Sequence, residues 1–142
     1  MMSTVRNQVI TQLCTLLGAK RAFKYSGQDS LPVRAVFDEN EQTQMVSFGE
    51  IQAVLSVRIE CILDGTDAVA PGENEGDALD REVSDVIETL YKADYSFGGL
   101  ADAVTVQAVN YKYSDMGESL IAVSIELAIS YSYLKTNLSI KP

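Results

Sequence analysis

The sequence contains no histidine and no tryptophan, and it has only two cysteines among 142 residues. Histidine is the commonest general base and a frequent zinc ligand, so its absence removes the Ser/His and Cys/His nucleophile pairs and the usual zinc sites. Cys14 and Cys61 each fall in an apolar pattern, which predicts two core thiols in a protein made in a reducing cytoplasm. No apolar run approaches the roughly 18 residues of a membrane span, and residues 1–5 lack the pattern of a signal peptide.

Positive charge is also scarce, because 11 Lys and Arg stand against 20 Asp and Glu and give a formal net charge of −9. Such an acidic chain repels phosphate, which disfavours a nucleic-acid reader. The sequence has no G-x-S-x-G, P-loop, G-x-G-x-x-G, C-x-x-C or H-E-x-x-H motif. Its carboxylate pairs lie in polar turns, where nothing would raise a pKa. We therefore expect no enzymatic activity, no cofactor and no metal site.

The chain is long enough for one folded domain over residues 1–142, and its apolar fraction of 46% is that of a globular protein. Apolar residues at helical spacing predict a first helix over 4–17, capped by Ser3 and ended by Gly18. A second helix is predicted over 78–92, with Asp77 as its cap. Lys20, Arg21 and Lys24 follow the first helix and either complement its dipole or form a small basic patch for an acidic partner.

Alternating apolar residues predict four strands in two hairpins. A strand over 33–37 turns at 38–41 into a long strand over about 44–62, and a change of apolar parity predicts a β-bulge near Gly49. A strand from Val104 to Tyr113, with a second bulge near 108–109, precedes the last strand over about 119–134. The predicted fold is α+β in the order α-β-β-α-β-β, with an antiparallel sheet of about four strands covered on one face by two helices.

Residues 64–76 form an acidic connection. From Glu60 to Asp80 inclusive there are seven acids and no Lys or Arg. Such a segment repels itself, so we expect a flexible loop. Its acids are Asp64, Asp67, Glu73 and Glu75. The spacing does not match a calcium loop, and residues 135–142 are predicted to be a loose tail.

Two further side-chain groups are candidates for contacts. Tyr111, Tyr113, Tyr131 and Tyr133 fall on the C-terminal hairpin, where they either pack across the strands or form an interface. Arg58 and Glu126 lie on the polar faces of their strands and would form a pair if those strands are neighbours.

Several segments together resemble the phage tail terminator proteins, which complete the tails of long-tailed phages. The resemblance covers about residues 5–134 and is one of order, spacing and local strings. Those segments are Val5–Leu17, Ala35–Glu39, Leu55–Ile59, the acidic connection into Leu79–Leu90, Tyr111–Tyr113 and Glu126–Tyr131.

The resemblance implies a structural virion protein without chemistry of its own. Such proteins form a ring, usually six-fold, that caps the head-proximal end of the tail tube, stops tube polymerisation and presents the surface that joins the neck. The expected partners are copies of the chain, the tail-tube protein and a head–neck connector protein, and DNA would pass through without specific binding. Assembly would take place in the host cytoplasm, away from any membrane.

A ring needs a head-to-tail contact that closes, and we expect that contact on strand edges and on the polar face of the sheet. The apolar segment Met45-Val46-Ser47-Phe48 stands in a polar region and is the first candidate, although it is also typical of a hairpin tucked onto the core. The candidate interface residues are Met45, Val46, Phe48, Arg58, Glu126, Tyr131 and Tyr133.

Two alternatives remain open from the sequence. A head–tail joining protein would share the ring and the location in the virion. A cellular small-ligand-binding α+β domain would need a concave apolar pocket with convergent polar groups, and no candidate set stands out in the sequence.

Overall fold

The computed structural model describes residues 4–47, 49–93, 96–115, 118–134 and 138. The chain forms an α+β fold, as predicted. Its elements are α1 Val5–Leu17, β1 Lys20–Arg21, β2 Val33–Ser47, β3 Glu50–Asp64, α2 Glu75–Lys92, β4 Ala103–Lys112 and β5 Leu120–Leu134.

The sheet has five strands in the order β1-β2-β3-β5-β4. β1 runs parallel to β2, and all the other neighbours are antiparallel. The predicted antiparallel sheet of four strands was therefore wrong at one edge. After α1 ends at Gly18, the chain passes beside Ala35 and Val36 and adds two residues to that edge. A strand this short has no alternation that a sequence pattern could reveal.

The turn and the bulge of the first hairpin are exchanged relative to the prediction. The predicted tip at 38–41 lies inside β2, where the register against β3 shifts between Asp38 and Asn40. The chain reverses between Ser47 and Glu50 instead, with Gly49 at a φ of 86°. A reversal and a bulge both change apolar parity, so the change near Gly49 fits either one. In β4, a register shift between Val106 and Ala108 lies next to the predicted bulge.

Both helices begin on side-chain caps. Thr4 Oγ1 accepts a hydrogen bond from the Asn7 amide at 3.1 Å, whereas the predicted cap, Ser3, lies outside the described residues. α2 begins three residues earlier than predicted. Asn74 is its cap, and the predicted cap Asp77 closes a capping box by accepting from the Asn74 amide at 3.0 Å. Each such cap contributes about 1 kcal/mol to helix stability.

One face of the sheet packs on both helices and forms the core. The buried apolar side chains of β3 and β5 are those at odd positions, from Ala53 to Leu63 and from Ile121 to Tyr131, and Ser132 is a buried even position of β5. Cys61 belongs to this core, and its burial raises the pKa of its thiol to about 12. Cys14 is half-buried and packs against the same core. The even positions of β3 and β5 face away from both helices, and we call this side of the sheet the open face.

Arg34 ties the two layers together. Its Nε donates to Glu82 Oε1 at 2.7 Å and its Nη2 to Asp85 Oδ2 at 2.6 Å, both on α2. Its Nη1 donates to the Leu17 carbonyl at the end of α1, at 3.0 Å. One guanidinium therefore joins β2 to both helices.

Candidate assembly interface

The end of the β2–β3 hairpin extends beyond the core. Every residue from Gln42 to Ser47 is exposed, on both faces of the strand. Met45 is 57% exposed and Val46 is 48% exposed. We call Gln42–Ser47, together with Glu50–Gln52, which pair with Gln44–Ser47, the hairpin arm. β5 pairs with β3 along this region, so β2 is the edge strand, and exposed neighbouring apolar side chains on an edge strand are typical of a contact surface. Phe48, the third predicted apolar residue here, lies outside the described residues.

Arg58 lies on the open face, directly opposite Phe37 on β2 and Glu126 on β5. Its strand and that of Glu126 are neighbours, which was the condition for the predicted pair. The ion pairs of Arg58 nevertheless join it to Glu60 and, at 3.5 Å from Nε, to Glu39. Its guanidinium also stacks 4.4 Å from the centroid of the Phe37 ring. Arg58 thus bridges β2 and β3 rather than β3 and β5.

The four tyrosines do not form one cluster. Tyr111 is opposite Val123 and Tyr131 is opposite Ala53, so the two pairs occupy different ends of the sheet. Tyr131 is fully buried, and its ring lies 6.4 Å from that of Tyr133. Tyr111 and Tyr113 are 43% and 54% exposed, near the start of α2. Of the two alternatives, cross-strand packing of all four is not what the register gives, because register rather than hairpin membership decides which rings meet. An interface formed by the exposed tyrosines stays a prediction.

The buried Tyr131 hydroxyl donates a hydrogen bond to Glu41, a residue that local sequence places among solvated acids. Burial raises the pKa of the Glu41 carboxyl, and the charge of Arg6 opposes that shift. Thr4, Tyr133 and Leu138 complete the lining of a hollow of about 200 Å³ beside this pair. The hollow is a small polar-ended pocket at the base of the hairpin arm.

Three of the four acids of the acidic connection have defined partners. Asp64 Oδ1 accepts from the Thr66 amide at 2.8 Å. Glu73 pairs with Arg81 at 2.6 Å, and this hydrogen bond lowers the pKa of the Glu73 carboxyl. Glu75 accepts from the amide and the hydroxyl of Ser114, which lower its pKa in the same way. Asp67 is exposed and has no ion pair among the residues described. The flexibility of this segment stays a prediction.

A groove of about 420 Å³ crosses the open face near the end of β3. Its apolar lining comes from half-buried side chains of the segment after β1 and of three strands. These are Phe23, Tyr25, Phe37, Ile62 and Leu120. Its charged lining consists of Lys24, Arg58, Glu60 and Lys112. We call this the open-face groove. The sequence predicted a possible basic patch from Lys20, Arg21 and Lys24, but only Lys24 lines this groove. Arg21 instead pairs with Asp38, and Lys20 stacks over Phe23.

Among the described residues, no three His, Cys, Asp or Glu side chains come together to hold a metal ion. No helix among the described residues has the length and apolar character needed to cross a membrane. No protein-family model and no curated protein matches the chain.

Proposed function

We propose that this chain is a structural virion protein that forms a ring on the head-proximal end of a phage tail tube. In this role it ends tube polymerisation and provides the surface to which the head or neck attaches. The observation that carries the proposal is the hairpin arm, which presents Met45 and Val46 to solvent beyond the core. Burying both side chains in a contact contributes roughly 1–3 kcal/mol each, so further contacts must supply the rest of what association costs.

A ring requires two unlike surfaces on each subunit, because a head-to-tail contact joins different patches of neighbouring copies. The fold offers unlike edges for this. In the described part of the chain, β2 has no partner on its outer side beyond Val36, and the outer side of β4 is also unpaired. Unpaired strand edges present rows of N–H and C=O groups that a neighbouring chain can use.

The charge of the chain is compatible with a channel for DNA. A net charge of −9 repels phosphate. The even positions of β5 on the open face are mostly Ala and Ser, with Glu126 as their only acid. These β5 positions carry no Lys or Arg, so they offer no cation to a passing phosphate.

The proposal is tested with purified protein and purified tail tubes. Co-sedimentation should recover the chain only at tube ends, in a ring stoichiometry. The variant Met45→Asp/Val46→Asp should lose this capping while keeping its thermal stability, because both side chains are already exposed. The matched control Thr11→Asp/Gln12→Asp adds the same charge on the exposed side of α1 and should cap normally. Normal capping by the hairpin-arm variant would refute the assigned surface.

A head–tail joining protein is the nearest alternative, and electron microscopy of a phage lacking the gene separates the two. Loss of a terminator gives overlong tubes. Loss of a joining protein gives tails of normal length and unattached heads.

A small-ligand-binding domain is a second candidate, favoured by the hollow of about 200 Å³ with its half-buried Glu41 carboxyl. Such a site would take a small ligand that donates hydrogen bonds to Glu41. A ligand screen by thermal shift tests it, and a hit must disappear in Glu41→Ala.

A further inference from the structure

We propose that the open-face groove is a contact between copies of this chain, and that it receives the acidic segment at the start of α2 of a neighbouring subunit. This inference rests on the proposed ring, because it names one of the two unlike surfaces that such a ring needs. The occupant is a second copy of the chain, because the charges of the two surfaces are complementary and the fold places them in opposite layers of one subunit.

The groove is a positive site on a negative protein. Of its four charged lining residues, Arg58 and Glu60 neutralise each other through their ion pair. Lys24 and Lys112 are exposed and form no ion pair with any described residue. The charged lining residues therefore sum to +2 in a chain of net charge −9, and Glu39, which is outside the lining, is a second acid paired with Arg58. Between them lie the half-buried side chains of Phe23, Ile62 and Leu120, which present an apolar floor.

The chain itself carries a complementary surface. Asp67, Asp77 and Asp80 are exposed at the acidic connection and the first turns of α2. Asp77 is held in the capping box and Asp80 is hydrogen-bonded to Tyr111, but neither Asp67 nor Asp80 forms an ion pair within the described residues. A second copy is thus a partner whose acids match two unneutralised lysines, and complementary charges of this kind set the orientation of a contact.

The two surfaces are placed for a head-to-tail contact. β3 ends at Asp64, and the chain then leaves the sheet for the helix layer, where Ala68 and Val69 pack against the core. The acidic segment therefore belongs to the helix layer, whereas the groove lies on the open face. Because the surfaces occupy opposite layers of one subunit, each copy can offer its groove to one neighbour and its acids to the other.

The test uses two charge-reversed variants and measures mass by sedimentation at protein concentrations up to about 1 mM and at low salt. The wild-type chain should form a closed multimer that dissociates when salt rises to about 0.5 M, because salt screens exposed pairs. Lys24→Glu/Lys112→Glu and Asp67→Lys/Asp80→Lys should each be monomeric alone. An equal mixture of the two should assemble again, with the variants alternating, because each groove then faces an oppositely charged segment.

Controls and contrary outcomes are equally defined. Lys92→Glu changes the charge as Lys112→Glu does, but at the far end of α2, and should assemble like the wild-type chain. Circular dichroism establishes that each variant is folded. A wild-type chain that stays monomeric, a groove variant that still assembles, or folded variants that fail to assemble when mixed would each overturn the inference. So would loss of tube attachment with assembly intact, which would assign the groove to another partner.

The inference and the proposed function fail separately. A multimer that depends on the groove but does not cap tail tubes keeps the inference and refutes the function. A ring that still caps tubes when the charges of Lys24 and Lys112 are reversed keeps the proposed function and refutes the inference.

Discussion

Replacing Arg34 with methionine should destabilise the fold more than any change at the exposed interface residues. The Arg34 side chain is only 18% exposed, and the side chain of its partner Glu82 is only 16% exposed. The variant removes the 2.7 Å ion pair to Glu82 and the 3.0 Å bond to the Leu17 carbonyl. Methionine keeps the apolar part of the side chain, so the change reports mainly on the polar contacts.

The expected loss follows from the exposure of each partner. Asp85 is 62% exposed, so its pair with Arg34 is worth at most about 1 kcal/mol. The bonds to Glu82 and Leu17 involve a charged donor in a largely buried setting, at about 1.5 kcal/mol or more each. Leaving the Glu82 carboxylate without its partner adds to the cost. We expect a total loss of roughly 3 kcal/mol in the free energy of unfolding and a Tm lower by roughly 10 °C.

Urea unfolding followed by circular dichroism measures the effect. Arg34→Lys keeps the charge but cannot donate to both helices at once, so it should lose about half as much stability. A double-mutant cycle with Glu82→Gln should return a coupling of about 1–2 kcal/mol between the two side chains. An Arg34→Met variant within about 0.5 kcal/mol of the wild-type protein would refute the view that this guanidinium holds the layers together.

Three further predictions concern pH and close packing. Burial raises the pKa of Glu41, so its ionised form penalises the native state at neutral pH, and the penalty disappears as pH falls through the native pKa; Glu41→Gln should therefore gain stability at pH 7 and none in acid. Asp38 should behave oppositely. Burial raises the pKa of its carboxyl, but the hydrogen bonds from Arg21 and the other favourable contacts together outweigh burial, and the net pKa is lowered. Asp38→Asn should therefore lose stability at pH 7, and that loss should vanish as pH falls through the native pKa. A Cβ at Gly65 would lie 2.7 Å from the Ser119 carbonyl oxygen, so Gly65→Ala should cost about 1–3 kcal/mol in urea unfolding.

The parts of the fold that the sequence predicts well are those with one buried face. β5 lies between β3 and β4, and its odd positions from Ile121 to Tyr131 all face the helices. Its strict alternation is therefore a direct consequence of its place in the sheet. The helices are predicted almost as well, because their apolar stripes face the same core and Gly18 ends α1 in a left-handed conformation.

The first hairpin was misread because its outer part has no buried face. Beyond Val36, β2 has no strand on its outer side in the described residues, and Glu39 and Asn40 lie in water. Charged residues are tolerated at such an exposed edge. An acidic run in an exposed strand therefore has the same composition as an acidic turn, and composition does not distinguish the two. Only pairing with β3 distinguishes the two, and pairing is a property of the folded chain.

The same distinction separates the candidate site residues. Met45 and Val46 stand out by local contrast with their polar neighbours, and they are exposed in the structure because the hairpin arm leaves the core. The tyrosine cluster and the Arg58–Glu126 pair depended on which residues meet across strands. Register decides which residues meet. Tyr111 lies opposite Val123, and Arg58 forms its ion pairs with Glu60 and Glu39 although Glu126 lies opposite it on β5. An apolar residue among polar neighbours can be recognised from the local sequence. A contact between strands cannot, because it depends on the register of the whole sheet.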